Sequence, residues 1–94
     1  MKLVLRAAAV SDLDDIFDYS LAAHGAEAAA DYAISIDAVM QRLLDHPQLG
    51  SASDLRSDIR SIPAGEHRVY YRIEGQAIVV ARVLHKAMDV ERHL

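Results

Sequence analysis

The apolar residues of this chain change their spacing once, and that change limits the fold more than any other feature. From Leu13 to Leu44 they recur at intervals of three and four, as on helices buried along one side. From Ile59 to Leu84 they alternate or run continuously, as in strands. A chain of 94 residues that is helical first and strand-like afterwards must cover one sheet with its own helices. The expected fold is α+β: an N-terminal strand, an antiparallel two-helix hairpin, then a three-strand antiparallel meander forming a small sheet. Residues 1–94 are expected to form one domain.

The boundaries follow from local chemistry. Leu3-Val4-Leu5 forms a brief strand that ends at Ala7 to Ala9. Ser11 is the predicted N-cap of the first helix, with Asp12, Asp14 and Asp15 at the positive end of its dipole. Leu13, Ile16, Phe17 and Leu21 make its apolar stripe, and His24-Gly25 ends it. The second helix is expected from about Ala26 to Asp45, with Ala29, Tyr32, Ala33, Ile36, Val39, Met40, Leu43 and Leu44 inward. Pro47 stops it, and Gly50-Ser51-Ala52-Ser53 reads as a loop.

The strand-like half opens at Leu55. Ile59 and Ile62 belong to a strand ending at the turn Pro63-Ala64-Gly65. Val69, Tyr71 and Ile73 then alternate with Arg68, Tyr70 and Arg72, an apolar face against a basic and aromatic one. Glu74-Gly75 marks a tight hairpin, and Ile78 to Leu84 is apolar on both faces except at Arg82, as in an interior strand.

Composition removes whole classes of function. Without cysteine there is no disulfide framework, thiolate metal site or cysteine nucleophile. The apolar start is broken by Arg6 and the run from Ala77 to Leu84 by Arg82, so neither a signal peptide nor a membrane span is expected, and the chain reads as cytoplasmic. The net charge of −4 suits a general nucleic-acid binder poorly. That total conceals a split. Residues 1–50 carry three basic and eight acidic side chains, a balance of −5; residues 51–94 carry seven and six, a balance of +1.

No nucleophile elbow, phosphate-binding loop, dinucleotide fingerprint or H-E-x-x-H motif is present. The carboxylates Asp12, Asp14, Asp15 and Asp18 point several ways round a helix, so no cation site is predicted. His67 and His85 fall on neighbouring strands without a third ligand, and no zinc site or cofactor is predicted either. The most informative segment is His67-Arg68-Val69-Tyr70-Tyr71-Arg72, followed by Arg82-Val83-Leu84-His85. Arg68, Tyr70 and Arg72 share a face that can bind a partner or pair with carboxylates of the same chain such as Asp58, Glu66 or Glu74; spacing alone does not separate these readings. Arg82, within an apolar strand, must be paired or reach the surface.

The order of elements, with specific residues, resembles the ParE branch of the ParE/RelE superfamily of bacterial type II toxin–antitoxin toxins. The matching residues are Ala9, Asp12-Leu13, Ile16 and Tyr19 in the first helix and Gly25, Ala29-Ala30 and Tyr32 in the second. Leu44, His46-Pro47, Gly50 and Leu55-Arg56 match in the connection. Gly65, His67, Tyr71-Arg72 and Ile78 lead to the run Arg82-Val83-Leu84-His85, then Met88-Asp89 and Arg92-His93-Leu94. The resemblance spans essentially the whole chain and rests on the ordered set.

This resemblance implies a RelE/ParE-like fold and a toxin that is not an enzyme. It implies inhibition of DNA gyrase and neutralisation by a ParD-like antitoxin, with toxin and antitoxin in equal numbers. DNA is then met only through gyrase or the antitoxin, and no membrane is involved. Combined with the basic segment, it makes Arg60, Arg68, Arg72, Arg82, His85 and Arg92 the candidates for target contact. Phe17, Tyr19, Leu21 and Tyr70 are the candidates for antitoxin contact. The related RelE branch implies an alternative, ribosome-dependent cleavage of messenger RNA, but the tail after His85 has no aromatic residue to stack on a base. A third reading is an inactive homologue that serves only as antitoxin partner.

Overall fold

The computed structural model describes residues 1–53 and 56–94. Leu55, where the strand-like half is expected to open, lies outside the described residues. Strand β1 (Lys2–Leu5) leads into helix α1 (Ala7–His24) and helix α2 (Ala26–Asp45). Strands β2 (Ser51–Ala52), β3 (Arg60–Ala64), β4 (His67–Glu74) and β5 (Ala77–His85) follow, and a 3-10 turn occupies Val90–Arg92. The class is α+β, as the change of period requires. The sheet order is β1-β5-β4-β3-β2, with β1 parallel to β5 and every other pair antiparallel.

Three sequence expectations need correction. The sheet has five strands, since Ser51 and Ala52 of the expected loop pair with Ser61 and Arg60 at its edge. Two residues are too few to show an alternating pattern. Helix α1 starts a turn earlier than Ser11: its first residue is Ala7, with Arg6 extended at the cap and no side-chain cap bond. The Arg6 N–H donates to the Val80 carbonyl at 3.0 Å, fixing the end of β1, and three alanines with the best helix propensity begin the helix there. Ser11 and the aspartates therefore lie inside the helix, not at its dipole end. The third correction concerns Tyr70, expected on an open face but only 6% exposed.

The main core lies between α2 and the sheet. Ile36, Met40 and Leu43, with Ala9 of α1, pack on Ile62, Val69, Tyr71, Ile78, Val80 and Val83. Leu13 and Ile16 border it, whereas Phe17, Leu21 and Ala33 of the expected stripes remain exposed. A second, smaller cluster sits on the outer face of the sheet. There Ile59, Tyr70 and Leu84 are covered by Val90 and Leu94 of the tail, which is what buries Tyr70.

Candidate functional site

The residues with most chemical content meet where β5 outruns β1. Leu5, the last residue of β1, pairs with Val80, so Ala81 to His85 have no partner strand on that side. A bulge offsets the register there: Tyr70 faces Arg82 and Tyr71 faces Val80, leaving Ala81 as the extra residue. Helix α1 crosses this free edge, and Asp12 replaces the missing strand. Its carboxylate accepts the Val83 N–H at 2.9 Å and two guanidinium N–H groups of Arg82, from Nε at 2.8 Å and Nη2 at 2.7 Å. This bidentate pair is largely shielded, with the Asp12 side chain 12% exposed. The Asp12 hydrogen bond raises the Arg82 pKa, so the guanidinium stays charged. Arg82 Nη1 also donates to the His93 carbonyl at 3.3 Å, tying the tail to the same point.

Further along the same end, Tyr32 of α2 reaches the β3–β4 turn. Its hydroxyl accepts the Glu66 N–H at 2.9 Å and lies 2.6 Å from His67 Nδ1. The His67 and His85 rings, paired across β4 and β5, stand edge to face with centroids 5.2 Å apart. Burial, and then the neighbouring His85, lowers the His67 pKa, which keeps that ring neutral at pH 7. The Ala87 N–H donates to His85 Nδ1 at 3.1 Å, so a neutral His85 carries its proton on Nε2.

Asp12, Tyr32, Glu66, His67, Val83 and His85 line a cavity of about 700 Å³. Helix α1 supplies Asp12, Asp15, Ile16 and Tyr19; α2 supplies Ala28 and Tyr32; the strand ends supply His67, Val83 and His85, with Met88 at the start of the tail. Among the described residues no group of three or more His, Asp or Glu is placed to hold a metal ion. Nor is any helix among them long and apolar enough to cross a membrane.

The structure does not gather the basic candidates onto one face. Arg60 donates to the Gly50 carbonyl at 2.8 Å, at the far end of the sheet beside the buried Tyr71. Arg68 and Arg72 share the outer face of β4, where Arg68 donates to Ser61 Oγ at 3.0 Å. Arg72 pairs with Glu74 at 2.9 Å and approaches Asp58 at 3.8 Å, two of the acidic partners considered from sequence. Arg82 is held by Asp12, His85 lines the cavity, and Arg92 is exposed, 3.6 Å from Asp89. Of the aromatic and apolar candidates, Tyr19 is 72% exposed on the cavity side of α1. Phe17 and Leu21, roughly 200° from it round the helix, are 39% and 43% exposed. Tyr70 lies beneath Val90 and Leu94. Sequence reasoning missed Asp12 as the partner of Arg82 and Tyr32 as the partner of His67. A lone arginine in an apolar strand must be paired or reach the surface, and Asp12 stands four residues from the inward Ile16 on the same helical side.

Comparison with known proteins agrees with this architecture. The family model described as the ParE toxin of type II toxin-antitoxin system, parDE, matches residues 3–90. The chain is similar to Toxin ParE1 of Caulobacter vibrioides, with 40% identity over 87 residues that cover 92% of this chain and 90% of that one. Its fold is similar to a chain of the chromosomal ParDE toxin–antitoxin system from P. aeruginosa, with a TM-score of 0.80 and 22% identity over 90% of this chain and 95% of the other. A chain of the RelBE2 toxin–antitoxin complex from Mycobacterium tuberculosis is a more distant likeness. Its TM-score is 0.58 at 23% identity, over 90% of this chain and 96% of the other.

Proposed function

The chain belongs to the ParE toxin family of type II toxin–antitoxin systems, and from that premise we propose that it inhibits DNA gyrase by binding it. In this reading residues 1–94 act as one cytoplasmic toxin domain, neutralised by a ParD-like antitoxin bound in equal numbers. The observation that carries binding over catalysis is the state of the sheet arginines. Arg60, Arg68, Arg72 and Arg82 each direct at least one donor to an acceptor of the same chain. Cleavage of RNA needs cations and acid–base groups free to converge on one phosphate, and these arginines are dispersed over both faces of the sheet. Contact with gyrase then falls to the partly open Arg68 and Arg72 on the outer face, with His85 and the exposed Arg92 at the tail end. Arg60 and Arg82 act by holding the sheet in shape.

The test is supercoiling of relaxed plasmid by purified gyrase with increasing amounts of this protein. Supercoiling should fall as the protein is added and recover when its antitoxin is supplied. An unaffected gyrase, together with cleavage of messenger RNA on ribosomes, would replace this reading with the RelE-like nuclease. If neither target responds while the antitoxin still binds, the chain is an inactive partner.

A further inference from the structure

Of the proposed gyrase contacts only His85 lines the cavity at the β4–β5 end, and the chemistry of the rest of that lining is specific enough to define an occupant. At about 700 Å³ it falls within the range of built ligand sites, roughly 300–1,000 Å³. Ile16, Val83 and Met88 give it apolar walls, and Tyr19 stands at its rim, 72% exposed. Its lining includes three carboxylates, Asp12, Asp15 and Glu66, and neither lysine nor arginine. Asp12 is neutralised by Arg82, and Glu66 meets Lys86 at 2.6 Å. Asp15 faces the cavity and appears in no ion pair among the described residues. His85, with Nδ1 occupied by the Ala87 N–H, has its Nε2–H left to give. A phosphate or an acidic peptide would meet Asp15 and find in the lining neither lysine nor arginine, only the imidazoles of His24, His67 and His85. A chain segment with an apolar side chain beside a cationic one matches the apolar wall and Asp15 together.

We propose that this cavity receives a segment of the antitoxin in which a bulky apolar side chain stands next to a lysine or arginine. The apolar group lies against Ile16, Val83 and Tyr19. The cation meets Asp15, and a main-chain carbonyl accepts from His85 Nε2–H. The inference rests on the antitoxin half of the proposed function and adds the place and chemistry of one anchor. An extended segment suits the site, because its backbone carbonyls are free to accept a side-chain donor.

The experiment titrates the full chain with acetyl-Phe-Lys-amide and, separately, acetyl-Phe-Glu-amide, following the imidazole proton resonances by NMR. The resonances of the cavity-lining His24, His67 and His85 should move while those of His46 and His93 stay. The lysine peptide should bind about 3-fold more tightly at low ionic strength, the effect of one partly exposed ion pair. Raised salt should remove the difference. Asp15→Lys, a change at an exposed helix position, should reverse the preference. Still resonances of His67 and His85 with both peptides, or an order of affinity unchanged by Asp15→Lys, would overturn the assignment. Movement of the same resonances on concentrating the protein without peptide would also overturn it, in favour of a second copy in the cavity. Failure here is separable from failure of the toxin reading, because the anchor is tested at Asp15, which is not among the proposed gyrase contacts that the supercoiling assay reads without antitoxin. If the antitoxin neutralises the Asp15→Lys chain as well as the parent, this anchor is lost while the pairing stands.

Discussion

Asp12 joins the two layers of the molecule through one carboxylate. It satisfies a backbone N–H that no strand reaches and the guanidinium of Arg82, 70 residues away in sequence. Asp12→Ala leaves both donors without their acceptor at a shielded site. The expected loss is about 2–4 kcal/mol, since breaking a buried ion pair by removing one partner is far costlier than removing both. Asp12→Asn keeps an acceptor for the Val83 N–H and should lose less; urea denaturation of the two variants gives the comparison, and equal losses would remove the charge from this account. Gly65 carries a second constraint. Its φ is +60°, and a Cβ there would come 2.6 Å from the Tyr32 ring, the ring that holds the β3–β4 turn and His67. Gly65→Ala should cost about 2 kcal/mol or more, combining the left-handed backbone penalty with that clash. Gly75→Ala, at φ +57° with open space around it, should cost only about 1 kcal/mol in the same denaturation series. At this scale the sequence showed that Arg82 must be paired or reach the surface. It did not show which, because a pairing across 70 residues leaves no periodic trace.

Elements were legible where a breaker stands at their ends. Helix α2 occupies Ala26–Asp45 as expected, between Gly25 and the segment before Pro47. The β4–β5 hairpin pairs Glu74 with Ala77 round Gly75, also as its turn residues indicate. Helix α1 was misread at its start because Ser11 and three aspartates imitate a cap. The true start is set by a tertiary bond, Arg6 N–H to the Val80 carbonyl. The tail offered only a mixed composition, yet it covers the outer cluster. Val90 and Leu94 are both half-buried on Ile59, Tyr70 and Leu84, and Arg82 holds the His93 carbonyl. Deleting residues 90–94 should therefore lower stability by about 1–3 kcal/mol, the burial of two partly covered aliphatic side chains. It should also open an apolar patch that binds a hydrophobic dye. A truncated chain with the parent's urea midpoint and no dye binding would mean that the tail does not close this face.

For the whole molecule, the division into an acidic helical half and a mildly basic sheet half was visible in the sequence, but it did not predict a free basic face. The sheet arginines are drawn onto local acceptors and onto Asp12, so the two halves are bound together by the charges that distinguish them. Such a molecule should show its electrostatics first in how its stability responds to acid. His67 is the histidine with a displaced pKa, held below its ordinary 6.5 by burial and by His85. Between that value and 6.5 the unfolded chain holds the proton and the folded chain does not. Acid therefore favours unfolding across this window. The contribution of a neutral His67 is intact above pH 6.5 and declines as pH falls through 6.5 toward the folded-state value. Glu66 acts lower. The Lys86 hydrogen bond depresses its carboxyl below the ordinary 4.5, so its contribution is kept above that value and lost as acid protonates it. Thermal midpoints measured from about pH 8 down to about pH 5.5 isolate the histidine window from the carboxylate one. The midpoint should fall across that range, and His67→Gln, which keeps a polar group beside Tyr32 but cannot titrate, should flatten the curve whatever its effect on absolute stability. Parallel curves for parent and variant would place the acid sensitivity in another histidine.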